Sequence, residues 1–138
     1  MSVIVKKLPN EPILIVTVEG QLDAGMVRDL YQEIGLLTKD MQPPIYRITD
    51  VRNMTITFMD LMGVIQEGTK DMPGTTADTR ISHMFVGKDK FAKIARDVLQ
   101  RINPDNHPML DTMEEALDYI RWKSEHEDET DNKNVSNP

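Results

Sequence analysis

Apolar and polar positions change period several times along the chain, and each change marks an element. Val3 to Leu8 and Ile13 to Glu19 are short apolar or alternating runs with Pro9, Asn10, Glu11 and Pro12 between them. Such runs, split by turn residues, predict an antiparallel strand pair. Gly20 ends the second strand in this reading. Asp23 is placed to cap a helix, in which Val27, Leu30, Tyr31, Ile34 and Leu37 or Thr38 recur at helical spacing until Pro43 and Pro44 stop it. Gly35 lies inside that helix, where glycine costs about 1 kcal/mol relative to alanine, and close packing against the sheet would account for it.

The stretch from Ile45 to Thr69 predicts strand, turn and helix in succession. Ile45, Ile48 and Val51 give the strand its apolar character, and Asp50, Arg52 and Asn53 bring turn chemistry where it is expected to end. Thr57 can cap the following helix, with Asp60 as a short capping-box partner. Phe58, Leu61, Met62 and Ile65 then recur at 0, 3, 4 and 7 as its apolar stripe. A helix directly after an apolar strand predicts a βα unit of an open sheet, in which ligands and partners meet the crevice beyond the strands' carboxyl ends.

Residues Asp71 to Arg80 lack apolar periodicity and read as a surface loop. Ile81 to Val86 form the next strand and Gly87 breaks it. A helix then starts near Asp89 with Phe91, Ile94, Ala95, Val98, Leu99 and Ile102 on one face, and Asn103 and Pro104 stop it. His107 to Leu110 can supply a short edge strand, where Pro108 is tolerable. Thr112 and Glu115 make a second capping box, ahead of the stripe Met113, Ala116, Leu117 and Ile120, with Trp122 near the end. From Ser124 the chain is polar and aperiodic. The expected organisation is therefore one α/β domain over residues 1–123 and a disordered acidic tail over 124–138. Right-handed crossovers laid down in one direction would set the helices on one face of the sheet and leave the other partly open.

Composition narrows the function classes. A chain of 138 residues can bury a core without disulfides. The absence of cysteine removes thiol nucleophiles and cysteine metal sites, and is compatible with a reducing cytoplasm, the expected compartment. Neither a signal-peptide core nor a membrane-spanning run of about 20 apolar residues is present. Of the net charge of −7, the tail after Lys123 carries more than half, so the body has no basic footprint for nucleic acid or an anionic membrane. Ten methionines suit flexible core filling, or an adaptable binding surface.

Candidate chemistry is sparse. Thr55 and Thr57 read first as a turn residue and a cap, with the alternative of hydroxyls on which a phosphate would meet the free N–H groups of a helix start. Asp50 and Arg52 can pair beside the same crevice, with Arg47 or Arg80 as neighbours. Gly87, Lys88 and Lys90 lie between a strand and a helix, where an anion could bind, without the spacing of a phosphate-binding loop. His83, His107 and His126 have no metal-ligand spacing, and no nucleophile elbow is present. Glu114 and Glu115 in a helix's first turn favour its macrodipole and need no catalytic explanation. The expectation is no catalytic residue, no metal and no cofactor.

The element order, together with VEGQLDAG after the second strand, ITDVRNMT at the end of the central strand and MEEALDYI near the close, resembles the STAS family, the domain of anti-sigma-factor antagonists, and more closely its diverged relatives in the same superfamily, over about Val3 to Lys123. That resemblance implies a mixed sheet of about five strands with four helices mainly on one face. Regulatory members usually carry an Asp-Ser-Ser-Gly-like phrase at the start of the helix after the central strand, where a kinase phosphorylates a hydroxyl. Here the stretch is MTITFMDLMG, and Thr55 and Thr57 are the nearest hydroxyls. The expected function is a noncatalytic regulatory or protein-interaction module whose partner binds around Asp50, Arg52, Asn53, Thr55, Thr57 and Asp60. The alternative is a carrier or sensor of a small apolar or anionic ligand. A sheet edge or the open sheet face can also support a homodimer.

Overall fold

A computed structural model describes residues 2–88, 90–102 and 108–135, with the backbone alone for residues 91, 92, 95, 98, 99, 102 and 127–135. The strands are β1 (Ser2–Lys7), β2 (Ile13–Gln21), β3 (Ile45–Thr55), β4 (Ile81–Val86) and β5 (Met109–Leu110). The helices are α1 (Ala24–Thr38), α2 (Phe58–Gly68), α3 (Lys90–Ile102) and α4 (Met113–Val135). One mixed sheet runs β1-β2-β3-β4-β5, with β1 antiparallel to β2 and every later pair parallel. Because the order is that of the sequence, no strand reversal creates the crevice expected beyond the carboxyl ends.

Alternation along the strands divides the core in two. Leu14, Val16 and Val18 of β2, Ile45 of β3 and Ile81 of β4 face α1 and α2, and pack with Val27, Leu30, Tyr31, Ile34 and Leu61. Alpha-helix α3 packs beside α2. Ile13, Tyr46, Ile48, Met84 and Val86 face the other way and are covered by Ala116 and Ile120 of α4. Three helices are crossovers and share a face, as right-handed connections require. Helix α4 follows the last strand, so it is free to close over the opposite side. That side remains bare at β1, where Ile4 is exposed.

Several boundaries differ from the sequence reading for local reasons. Beta-strand β2 continues through Gly20, whose φ is 81°, and β3 does not end at Asp50–Asn53. Asn53, Met54 and Thr55 pair with Glu19, Gly20 and Gln21 after a register shift, so three steps on β3 oppose two on β2. This bulge reverses the alternation and turns Met54 and Ile56 toward α2. The 71–80 segment is not simply a surface loop, since Thr75 and Thr76 are buried. Gly35 meets this loop rather than the sheet: a Cβ on it would lie 2.9 Å from Pro73 O. Finally, α4 does not stop near Lys123 but runs to Val135. No glycine or proline interrupts that stretch, the Trp122 and His126 rings stack one turn apart, and His126 Nδ1 lies 2.7 Å from Trp122 O. His107 lies outside the described residues, as do the side chains of Phe91, Ala95, Val98, Leu99 and Ile102.

Candidate functional site

The bulge on β3 is built by a charged pair. Asp50, only 7% exposed, accepts from the Arg52 backbone N–H at 3.1 Å, from Arg52 Nε at 3.0 Å and from Nη2 at 2.8 Å. The Arg52 hydrogen bond is the main reason that the Asp50 carboxyl sits below its ordinary pKa, with burial opposing it. A turn-forming Asp-x-Arg sequence thus folds the strand upon itself without ending it. Asp78 and Arg80 repeat the arrangement at the start of β4, with the same three bonds at 3.1, 3.1 and 2.8 Å. Arg80 also donates to Thr38 O and Thr38 Oγ1. It therefore fastens the loop to α1 at the far end of the sheet and is no neighbour of Asp50.

Beyond the bulge, Thr57 caps α2. Its Oγ1 accepts from Asp60 N at 3.1 Å and donates to Asp60 Oδ2 at 2.9 Å, while Gln21 Nε2 donates to the same Oδ2 at 3.3 Å. The short aspartate reaches the cap's hydroxyl where a longer capping-box glutamate would reach its backbone N–H. Thr55 ends the strand and lends its carbonyl to Leu22 N at 2.9 Å. Arg52, Asn53, Thr55 and Thr57 are exposed together along one edge.

The α2 stripe is rotated from the expected one. Leu61 is buried, Val64 and Ile65 pack against the core, and Gly68 is buried beside Thr76. Phe58 and Met62 are outside, and Phe58 and Met59 are 68% and 79% exposed. The sequence contains both stripes, since 61, 64, 65 and 68 have the same spacing as 58, 61, 62 and 65. The bulge decides between them by bringing Ile56 inward.

Gly87 is buried and donates its N–H to Leu110 O at 3.0 Å, which removes that group from any anion. Lys88 and Lys90 are exposed, and Asp89 lies outside the described residues. Val86 pairs with Asp50, so both candidate sites lie at the same end of the sheet on adjacent strands.

Arg47 was missed as a core residue. It is 3% exposed, on the face of β3 that meets α1, with its Cζ 5.7 Å from the centre of the Tyr31 ring. Burial lowers its pKa and the neighbouring Tyr31 hydroxyl raises it. The signal was present in the alternation: Ile45, Arg47, Thr49 and Val51 share one side of the strand, placing two polar side chains on the core face. Between them, α1 and α2 lies a cavity of about 70 Å³. Among the described residues no cluster of histidine and carboxylate side chains is arranged to hold a metal, and no helix is long and apolar enough to cross a membrane.

No family model and no curated protein matches the sequence. Solved structures do match the fold. An uncharacterized protein of the DUF3478 family with a SpoIIAA-like fold, from Shewanella loihica, superposes with a TM-score of 0.60 at 12% identity, over 86% of this chain and 91% of its own. The anti-sigma factor antagonist SpoIIAA in its unphosphorylated form gives 0.57 at 13% identity, over 87% and 98%. An anti-sigma factor antagonist from Mycobacterium paratuberculosis gives 0.52 at 20% identity, over 87% and 93%. The chain has the SpoIIAA-like, or STAS-like, α/β fold. At the level of the fold, its structural neighbours include regulators of anti-sigma factors.

Proposed function

We propose that the protein is a noncatalytic cytoplasmic regulatory module that binds another protein through the surface from Asp50 to Asp60. The observation that carries this reading is the exposure of Phe58 and Met59 at the first turn of α2, where apolar side chains stand free beside Arg52, Asn53, Thr55 and Thr57. An apolar centre ringed by polar groups is the composition of a protein-binding patch. The Asp50–Arg52 pair fixes its rim, and the Thr57–Asp60 cap fixes the helix that presents it. Thr55 is the hydroxyl at which a phosphate would add charge to the rim without dismantling the cap.

Affinity capture from source extract, with the native chain and a Phe58→Glu, Met59→Glu variant as parallel baits, tests this. Both substituted positions are exposed, so the variant keeps the native melting temperature. A protein retained by the native bait and lost from the variant supports the patch. Retention by both baits alike, or no specific protein on either, overturns it.

A further inference from the structure

The cavity beneath α2 has a floor and a roof of different chemistry. Leu22, Val27, Leu30, Ile56 and Leu61 make the roof and walls apolar, whereas Arg47 and Thr49 project from β3 at the floor. Arg47 Nε and Nη1 and Thr49 Oγ1 are buried without a hydrogen-bond partner, and no salt bridge among the described residues includes Arg47. Arginine stays charged in proteins and its guanidinium only donates. A buried cation with free N–H groups is costly unless an acceptor of opposite charge reaches it. Tyr31 supplies a ring face and a hydroxyl, but that hydroxyl is also shared with Thr76 Oγ1 at 3.0 Å.

The geometry points to a ligand site in this cavity for a small monocarboxylate with a short apolar chain, its carboxylate on Arg47 and Thr49 and its chain against Ile56 and Leu61. One buried cation balances one negative charge, which favours a monocarboxylate over a phosphate dianion. A volume of about 70 Å³ admits a compact acid of the size of acetate or propionate and no long lipid. Leu61 belongs to the inner side of the helix whose outer side carries Phe58 and Met59. A ligand here would therefore brace the proposed docking helix from beneath.

The test uses the full chain without any partner, so its failure is independent of the fate of the docking surface. Amide NMR spectra are recorded during titration with sodium propionate, and in parallel with inorganic phosphate and with sodium chloride at matched ionic strength. Saturable shifts centred on Val18, Thr49, Ile56 and Leu61 with propionate alone are expected. Arg47→Met, which replaces the buried charge by an apolar chain of similar length, should fold at least as well and bind about tenfold or more weakly. Should that variant not fold, Thr49→Val, which keeps the guanidinium and the volume, carries the decision through several-fold weaker binding. Three results overturn the site: no saturable response to propionate in the native protein, equal shifts from phosphate or chloride, or undiminished binding in the deciding variant.

Discussion

Arg52 donates three hydrogen bonds to the carboxylate of Asp50, one from its own backbone and two from its guanidinium, at the point where β3 bulges against β2. The pair determines which residues of the strand face inward after it. Asp50→Ala should cost about 1.5–3 kcal/mol, the range for hydrogen bonds to charged groups. Arg52→Ala should also destabilise, because it leaves a buried carboxylate without its counter-charge. Urea unfolding of both variants checks this, with an unchanged m-value showing that the native compactness persists.

Acid should destabilise the fold through Asp50 and Asp78. Burial pushes the Asp78 carboxyl up, but the Arg80 guanidinium and the N–H groups of Gly74 and Arg80 together bring it below its ordinary value, and Asp50 is lowered likewise. Both folded values thus lie under the unfolded aspartate value of about 3.9. The unfolded chain binds more protons in that interval, so the stabilisation is complete above the unfolded value and drains away as pH falls through the folded ones. Melting temperatures recorded downward from neutral pH should hold and then drop. Asp50→Asn and Asp78→Asn together should flatten that acid limb, and an unchanged limb would show that other carboxylates govern it.

Gly74 admits no side chain. Its φ is 88°, and a Cβ there would lie 2.4 Å from Tyr31 O and 2.6 Å from Gly35 N. Gly74→Ala combines left-handed strain with backbone overlap, and should cost about 1–3 kcal/mol from the strain alone. Thermal unfolding reads the loss, and Gly25→Ala offers a milder comparison because a Cβ there would approach Asp23 Oδ1, the capping oxygen of α1, no closer than 3.3 Å.

Thr57→Ala should cost about 1 kcal/mol through loss of the α2 cap, whereas Thr57→Ser should keep most of it and Thr55→Ala should change little. Equal effects at Thr55 and Thr57 in denaturant melts would contradict the assignment of the cap to Thr57.

Ending the chain at Lys123 should leave the melting temperature unchanged, since Ala116 and Ile120 make the buried contacts of α4. Far-ultraviolet dichroism should lose the helical signal of residues 124–135. An unchanged spectrum would restore the disordered tail.

The order of elements and the caps at Asp23, Thr57 and Thr112 were legible because they depend on nearest neighbours in sequence. Strand order, the side taken by α4 and the rotation of α2 depend on distant residues. Met62 and Val64 are both apolar and lie on alternative stripes of one helix, and the change of side that follows the bulge at Val51 and Arg52 separates them. Asp50 forms the polar pair with Arg52 that their spacing predicts, whereas Arg47 belongs to the core and Arg80 to the opposite end of the sheet. Their separation is set by strand alternation and by Asp78, which competes for Arg80 at closer range.

The sequential strand order also bears on how the molecule is made. Each strand pairs with the one preceding it, so no segment must wait for a distant later partner before its inner edge is satisfied. As the chain emerges from a ribosome, the sheet can lengthen one strand at a time from its amino-terminal hairpin, with α1, α2 and α3 folding down in turn. The last edge to form, Met109–Leu110, is only two residues long. Being so short, β5 pairs with Phe85 and Val86 alone and itself offers little backbone to a strand from another nascent chain.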